Sequence, residues 1–139
     1  MSLKSLKSQV SVEYMLIMGF AAIITVPLLL IYYTYTSDSS DSVTTSQALQ
    51  IARNIVDSSE SVYYLGKPSQ TTLKLNFPDR IQSINVSNKE VVFKIKTKNG
   101  ITDIVHVSSV NITGNLPITQ GIHIITIKAE EGYVQVTSN

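Results

Sequence analysis

The chain has 139 residues, with 11 basic and 10 acidic side chains, a formal net charge of +1 and no cysteine. That balance leaves no basic stripe for nucleic acid, and the lack of thiols excludes disulfides and thiolate metal sites. Only 15% of residues are charged against 43% hydrophobic, and much of the apolar content lies in one run near the N-terminus.

Residues 7–14 read Lys-Ser-Gln-Val-Ser-Val-Glu-Tyr, and an uncharged apolar run continues from Tyr14 to Tyr33. About twenty helical residues span about 30 Å, the hydrocarbon thickness of a bilayer. Tyr14 stands at one end and Tyr32, Tyr33 and Tyr35 at the other, as an interfacial aromatic belt requires. Lys4 and Lys7 precede the run and Asp38 and Asp41 follow it, which predicts a cytoplasmic N-terminus and an external chain after about residue 36. A secretory signal peptide has a shorter apolar core and a small-residue site behind it. Here the small residue, Ser8, lies in front of the run, and Tyr-Tyr-Thr-Tyr follows it. The expected cut therefore precedes the apolar helix, which is kept. Glu13 needs a reason, because a carboxylate at mid-membrane costs roughly 2.5–3.5 kcal/mol, and less near a helix end. It is either tolerated at headgroup level or neutralises a positive charge when helices pack. A cut between Ser8 and Gln9 would create such a charge, an α-amino group four residues before Glu13.

The stretch Gln9-Val-Ser-Val-Glu-Tyr14, with its basic leader and apolar tail, resembles the Q-x-S-x-E-Y signature of archaeal type IV pilin precursors with a class III signal peptide. The resemblance covers about 25 residues. It implies removal of the leader by a membrane-embedded prepilin peptidase, with Ser8–Gln9 the scissile bond and Gln9 the mature N-terminus. It also implies that Glu13 aids subunit registration while the apolar helix joins a filament core. Ser8 departs from the Gly often found before the cut. Losing Lys4 and Lys7 leaves 9 basic against 10 acidic residues, a net charge of −1.

Residues 37–46, Ser-Asp-Ser-Ser-Asp-Ser-Val-Thr-Thr-Ser, have the composition of a linker or of a weakened helix. The pilin resemblance implies a continuous stalk, whereas the low helix propensity of this stretch argues mildly against one. From Gln47 to Leu65 an amphipathic helix is predicted, with Ala48, Ile51, Ala52, Ile55, Val56, Ser59, Val62 and Tyr63 on one face. Ser46 is its expected N-cap and Gly66-Lys67-Pro68 its stop. Pro27, in the apolar helix, reads as an ordinary membrane-helix proline.

Six alternating strands are then expected at 72–77, 81–86, 91–97, 101–107, 122–127 and 133–136. The turn signals between them include Asn99-Gly100, the strongest hairpin signal, and Gly114-Asn-Leu-Pro117. The predicted fold class is α+β. A long N-terminal hydrophobic helix (the pilin stalk of the resemblance) continues or leads into the amphipathic helix, and a small antiparallel β-rich head follows, a lollipop. The expected organisation is a cleaved leader at 1–8, a membrane or filament-core helix at 9–36, a polar stretch and amphipathic helix at 37–65, and an external head at 66–139.

His106 and His123 fall in predicted strands without metal-ligand spacing, and no G-x-S-x-G surrounds any serine. No catalytic residue, metal or cofactor is expected. Asn85-Val-Ser87 and Asn111-Ile-Thr113 are candidate N-glycosylation sites. The 8 Asn and 31 Ser or Thr of the chain would give about two such triplets by composition alone. The leading expectation is a structural pilin whose partners are copies of itself, the prepilin peptidase, the pilus assembly machinery and, before assembly, membrane lipid. Its expected place is a cell-surface filament, with adhesion implied by the family. The alternatives are a single-pass membrane-anchored binding module and a minor pilin-like component that primes or caps a filament.

Overall fold

The computed structural model describes residues 3–138, with the backbone alone for 3–9, 37 and 38. The chain divides into two units, residues 1–39 and 40–139, with the boundary inside a single helix, α1, Leu3–Leu65. The polar stretch is therefore helical, and Ser46 is an interior helix residue rather than an N-cap. Its hydroxyl-bearing neighbours do not compete with the helix. Thr44 Oγ1 donates to the Ser40 carbonyl at 3.1 Å and Thr45 Oγ1 to that of Asp41 at 2.8 Å. In the first unit Thr36 donates in the same way to the Tyr32 carbonyl at 2.9 Å. Pro27 is accommodated within α1. The helix ends where expected: Gly66 takes a positive φ of 77° and donates to the carbonyls of Val62 and Tyr63.

In the second unit α1 is followed by seven strands: β1 Gln70–Phe77, β2 Ile81–Ser87, β3 Glu90–Thr97, β4 Gly100–Val107, β5 Ile112–Asn115, β6 Gly121–Glu130 and β7 Tyr133–Ser138. They form one sheet in the order β1-β6-β7-β5-β2-β3-β4. Every pairing is antiparallel except β5 with β7. The protein is thus α+β, a long apolar N-terminal helix followed by a mostly antiparallel sheet.

The six expected strands are all present, and the seventh, β5, corrects the sequence reading. Gly114, read as a turn, lies inside β5, paired to Val86 on one side and Val136 on the other. These four residues join a β1–β6–β7 half of the sheet to a β2–β3–β4 half. The expected hairpin lies between β3 and β4, but the pairing Thr97↔Gly100 makes its tip Lys98-Asn99 rather than Asn99-Gly100.

One face of the sheet packs against α1. Ala48, Ile51, Ala52, Ile55, Val56 and Val62 are buried, and so is Ser59, whose hydroxyl is satisfied by the Ile55 carbonyl at 2.7 Å. They meet alternate residues of the strands, among them Leu75, Phe77, Val91, Phe93, Ile95, Ile125, Ile127, Val134 and Val136. Phe77 and Phe93 pack edge to face, with ring centroids 6.2 Å apart at 74°. The period-3.6 stripe and the period-2 strands thus supply one shared core.

Candidate assembly helix and the head ties

In the first unit the described side chains of α1 are exposed. Large apolar residues from Val10 to Tyr35 are 48–75% exposed on every face of the helix. The helix is long and apolar enough to cross a membrane, with a mean hydropathy of 2.4 over its most apolar window. Glu13 stands exposed in α1, one residue before Tyr14 opens the uncharged run. A β-carbon added at Gly19 would meet nothing within 4 Å, so that side of the helix is open to close approach. The expected scissile bond, Ser8–Gln9, falls within α1, and the side chains of both residues lie outside those described. Residue 9 and Glu13 are one helical turn apart, about 6 Å along the axis.

The second unit contains polar ties that sequence reasoning missed. Asp41, in the polar stretch, accepts from the Lys98 backbone N–H at 2.9 Å and from Arg80 Nη1 at 2.6 Å. The Lys98 N–H, and then the Arg80 guanidinium, hold its carboxyl below the ordinary carboxylate range. Arg80 also donates to Ser40 Oγ at 3.0 Å and Thr44 Oγ1 at 3.2 Å. It does so from a backbone with φ 63°, which turns it out of the β1–β2 connection. Farther along α1, Glu60 accepts from the Ser109 N–H at 2.8 Å and its hydroxyl at 2.9 Å, and the first of these does most to lower its pKa. Glu130 is held between Lys128 at 2.7 Å and Lys67 at 3.1 Å, which lowers its pKa in turn. Asp41 thereby ties the start of this helix segment to Arg80 and the β3–β4 tip, and Glu60 ties its later part to the β4–β5 connection.

The histidines stand apart. His123 Nε2 lies 2.8 Å from the Thr119 carbonyl and its ring packs 5.1 Å from Phe77, while His106 is on the edge strand β4. Among the described residues no group of three or more His, Asp or Glu stands together as a metal site. Asp103 pairs with Lys94 at 3.6 Å at the surface. Asn85 and Asn111 are both exposed, the first on β2 and the second immediately before β5. Comparison with protein-family models, curated proteins and solved structures finds no match to this chain.

Proposed function

We propose that the chain is the structural subunit of an archaeal type IV pilus-like surface filament, trimmed before Gln9 by a prepilin peptidase and polymerised through residues 9–36 of α1. One observation carries the reading: an uncharged helical surface, open on all sides, follows directly behind a single carboxylate, Glu13. Half or more of nearly every large side chain from Val10 to Tyr35 is uncovered, and a surface of that extent needs lipid or other helices around it. Lipid covers it before assembly, with the N-terminus in the cytoplasm; in the polymer, the same residues of neighbouring copies replace lipid. A membrane anchor merely tolerates Glu13 at headgroup level. A packed helix array has a use for it, because Glu13 offsets the α-amino group of the next subunit where water is excluded. The head lies outside the cell, with Asn85 and Asn111 available for glycans and its surface for adhesion. Assembly machinery, and no catalytic step of its own, completes the account.

Glu13→Ala tests it. Cells producing the variant are expected to insert the protein normally and to lose filaments by electron microscopy. Unchanged filaments, or filaments absent from the wild type, would instead favour the single-pass anchored module.

A further inference from the structure

Large apolar side chains left exposed on the sheet gather at its two margins. On the face turned away from α1, the β4 margin carries Ile101, Val105 and Val107, which are 59%, 48% and 68% exposed. The opposite margin carries Ile122 and Ile124 of β6, 62% and 47% exposed, beside β1. Between them, apart from Tyr133, the same face is polar on β2, β5 and β7, and there Asn85 is displayed. A surface that is wet in the middle and apolar at both sides is suited to lateral neighbours.

Both margins end in an eight-residue strand that lacks proline and register shifts, β1 and β4, and each is hydrogen-bonded on one side only. Such edges template pairing with another chain unless something blunts them. Helix α1 does not seal the β1 edge. Clefts of about 230 and 340 Å³ open beside it, the first between Gln50 and Lys74 and the second between Ser61 and Gln70. Following the pairings across the sheet, β1 and β4 run in opposite directions. Two copies set side by side in the same orientation would therefore meet antiparallel.

We propose that a second copy of this chain occupies each margin, β4 of one head pairing with β1 of the next. One register aligns the two strands end to end, with Gln70 opposite Val107 and Phe77 opposite Gly100. It sets Lys74 opposite Asp103, the charged residue of each edge strand, and places core-facing Leu73 against core-facing Ile104. On the outer face Thr72 covers Val105 and Asn76 covers Ile101. Asp103 gives up little in turning to Lys74, because its pair with Lys94 is about half exposed on both sides. The inference rests on the polymer reading, which supplies the neighbouring copies.

The chain has no native cysteine, so paired cysteines report the contact cleanly. A bond within one head would leave the chain monomeric on a non-reducing gel, so only a contact between copies gives a ladder. Full-length K74C/D103C, oxidised in surface filaments, is expected to run as a ladder of linked subunits on non-reducing gels. K74C/N85C, whose second site lies in the polar middle, is expected to remain monomeric. As a variant that adds no thiol, K74D is expected to shed subunits from sheared filaments faster than wild type, and K74D/D103K to restore wild-type behaviour. Filaments that form without a K74C/D103C ladder overturn this interface and leave the polymer reading standing. Wild-type cells without filaments overturn both.

Discussion

Gly114 is the residue on which the continuity of the sheet turns, and Gly114→Ala tests that directly. A β-carbon there would lie 2.0 Å from the Val136 carbonyl oxygen and 2.9 Å from Val136 C and Cβ, where ordinary contact begins at 3.4 Å. The obstacle is backbone, so the two strands must part by over about 1 Å, and hydrogen bonds between β5 and β7 go with the separation. Overpacking of this kind costs about 1–3 kcal/mol. In a unit of residues 40–139, each kcal/mol moves the melting point by about 4–8 °C, giving a fall of about 4–24 °C. Thermal unfolding of the detergent-solubilised full chain, followed by circular dichroism at β-sheet wavelengths, measures it. Asn115→Ala, at an exposed position of the same strand, is the control and is expected to stay within about 0.5 kcal/mol of wild type. A Gly114→Ala melting point within about 2 °C of wild type would refute the claim that β5 fills a gap only glycine fits.

Phe93→Ala removes a fully buried ring and its edge-to-face partner contact with Phe77, and should cost about 3–5 kcal/mol by chemical denaturation; a loss below about 1 kcal/mol would mean that the two halves of the core do not meet there. Acid should loosen the head. Asp41, Glu60 and Glu130 all have pKa values lowered by folding. Their contribution is therefore complete above the ordinary carboxylate range and is lost as pH falls through it, so melting points should be level above about pH 5.5 and decline below about 4.5. Asp41→Asn should lie below wild type at neutral pH and converge on it in acid; a gap independent of pH would show that the Lys98 and Arg80 contacts do not depend on the carboxylate charge. Surface-fraction protein should lose mass on deglycosylation, with the glycans mapping to Asn85 or Asn111, and unmodified peptides across both would remove glycans from the account.

The parts of this molecule legible in the sequence are those set by local periodicity. Ala48 to Tyr63 shows its buried stripe in the spacing alone, because a helix face repeats within seven residues. The six longer strands show theirs by alternation. β5 escaped because four residues containing a glycine resemble a turn, and its justification is a pairing with Val86 and Val136 from distant parts of the chain. The stretch 37–46 reads as either a linker or a weakened helix for a related reason. Intrinsic preference treats Ser, Thr and Asp as helix-weakening, yet here threonine hydroxyls bond back to the helix and Asp41 is bound by groups 39 and 57 residues onward. No local pattern marks Arg80 or Lys98 as its partners. The apolar helix was legible from composition because its length and hydropathy lie in one continuous run, with no distant residue needed to reveal it. The fold of a single copy places Glu13 in α1 but supplies no partner subunit for it.

The most direct test of the central claim is the N-terminus of the native protein recovered from the cell-surface fraction, read by mass spectrometry of its terminal peptide and of the intact chain. A chain beginning at Gln9, with Lys4 and Lys7 gone and the apolar helix kept, is the predicted result. A chain beginning at Met1 or Ser2 would contradict it and leave α1 as an uncut membrane anchor.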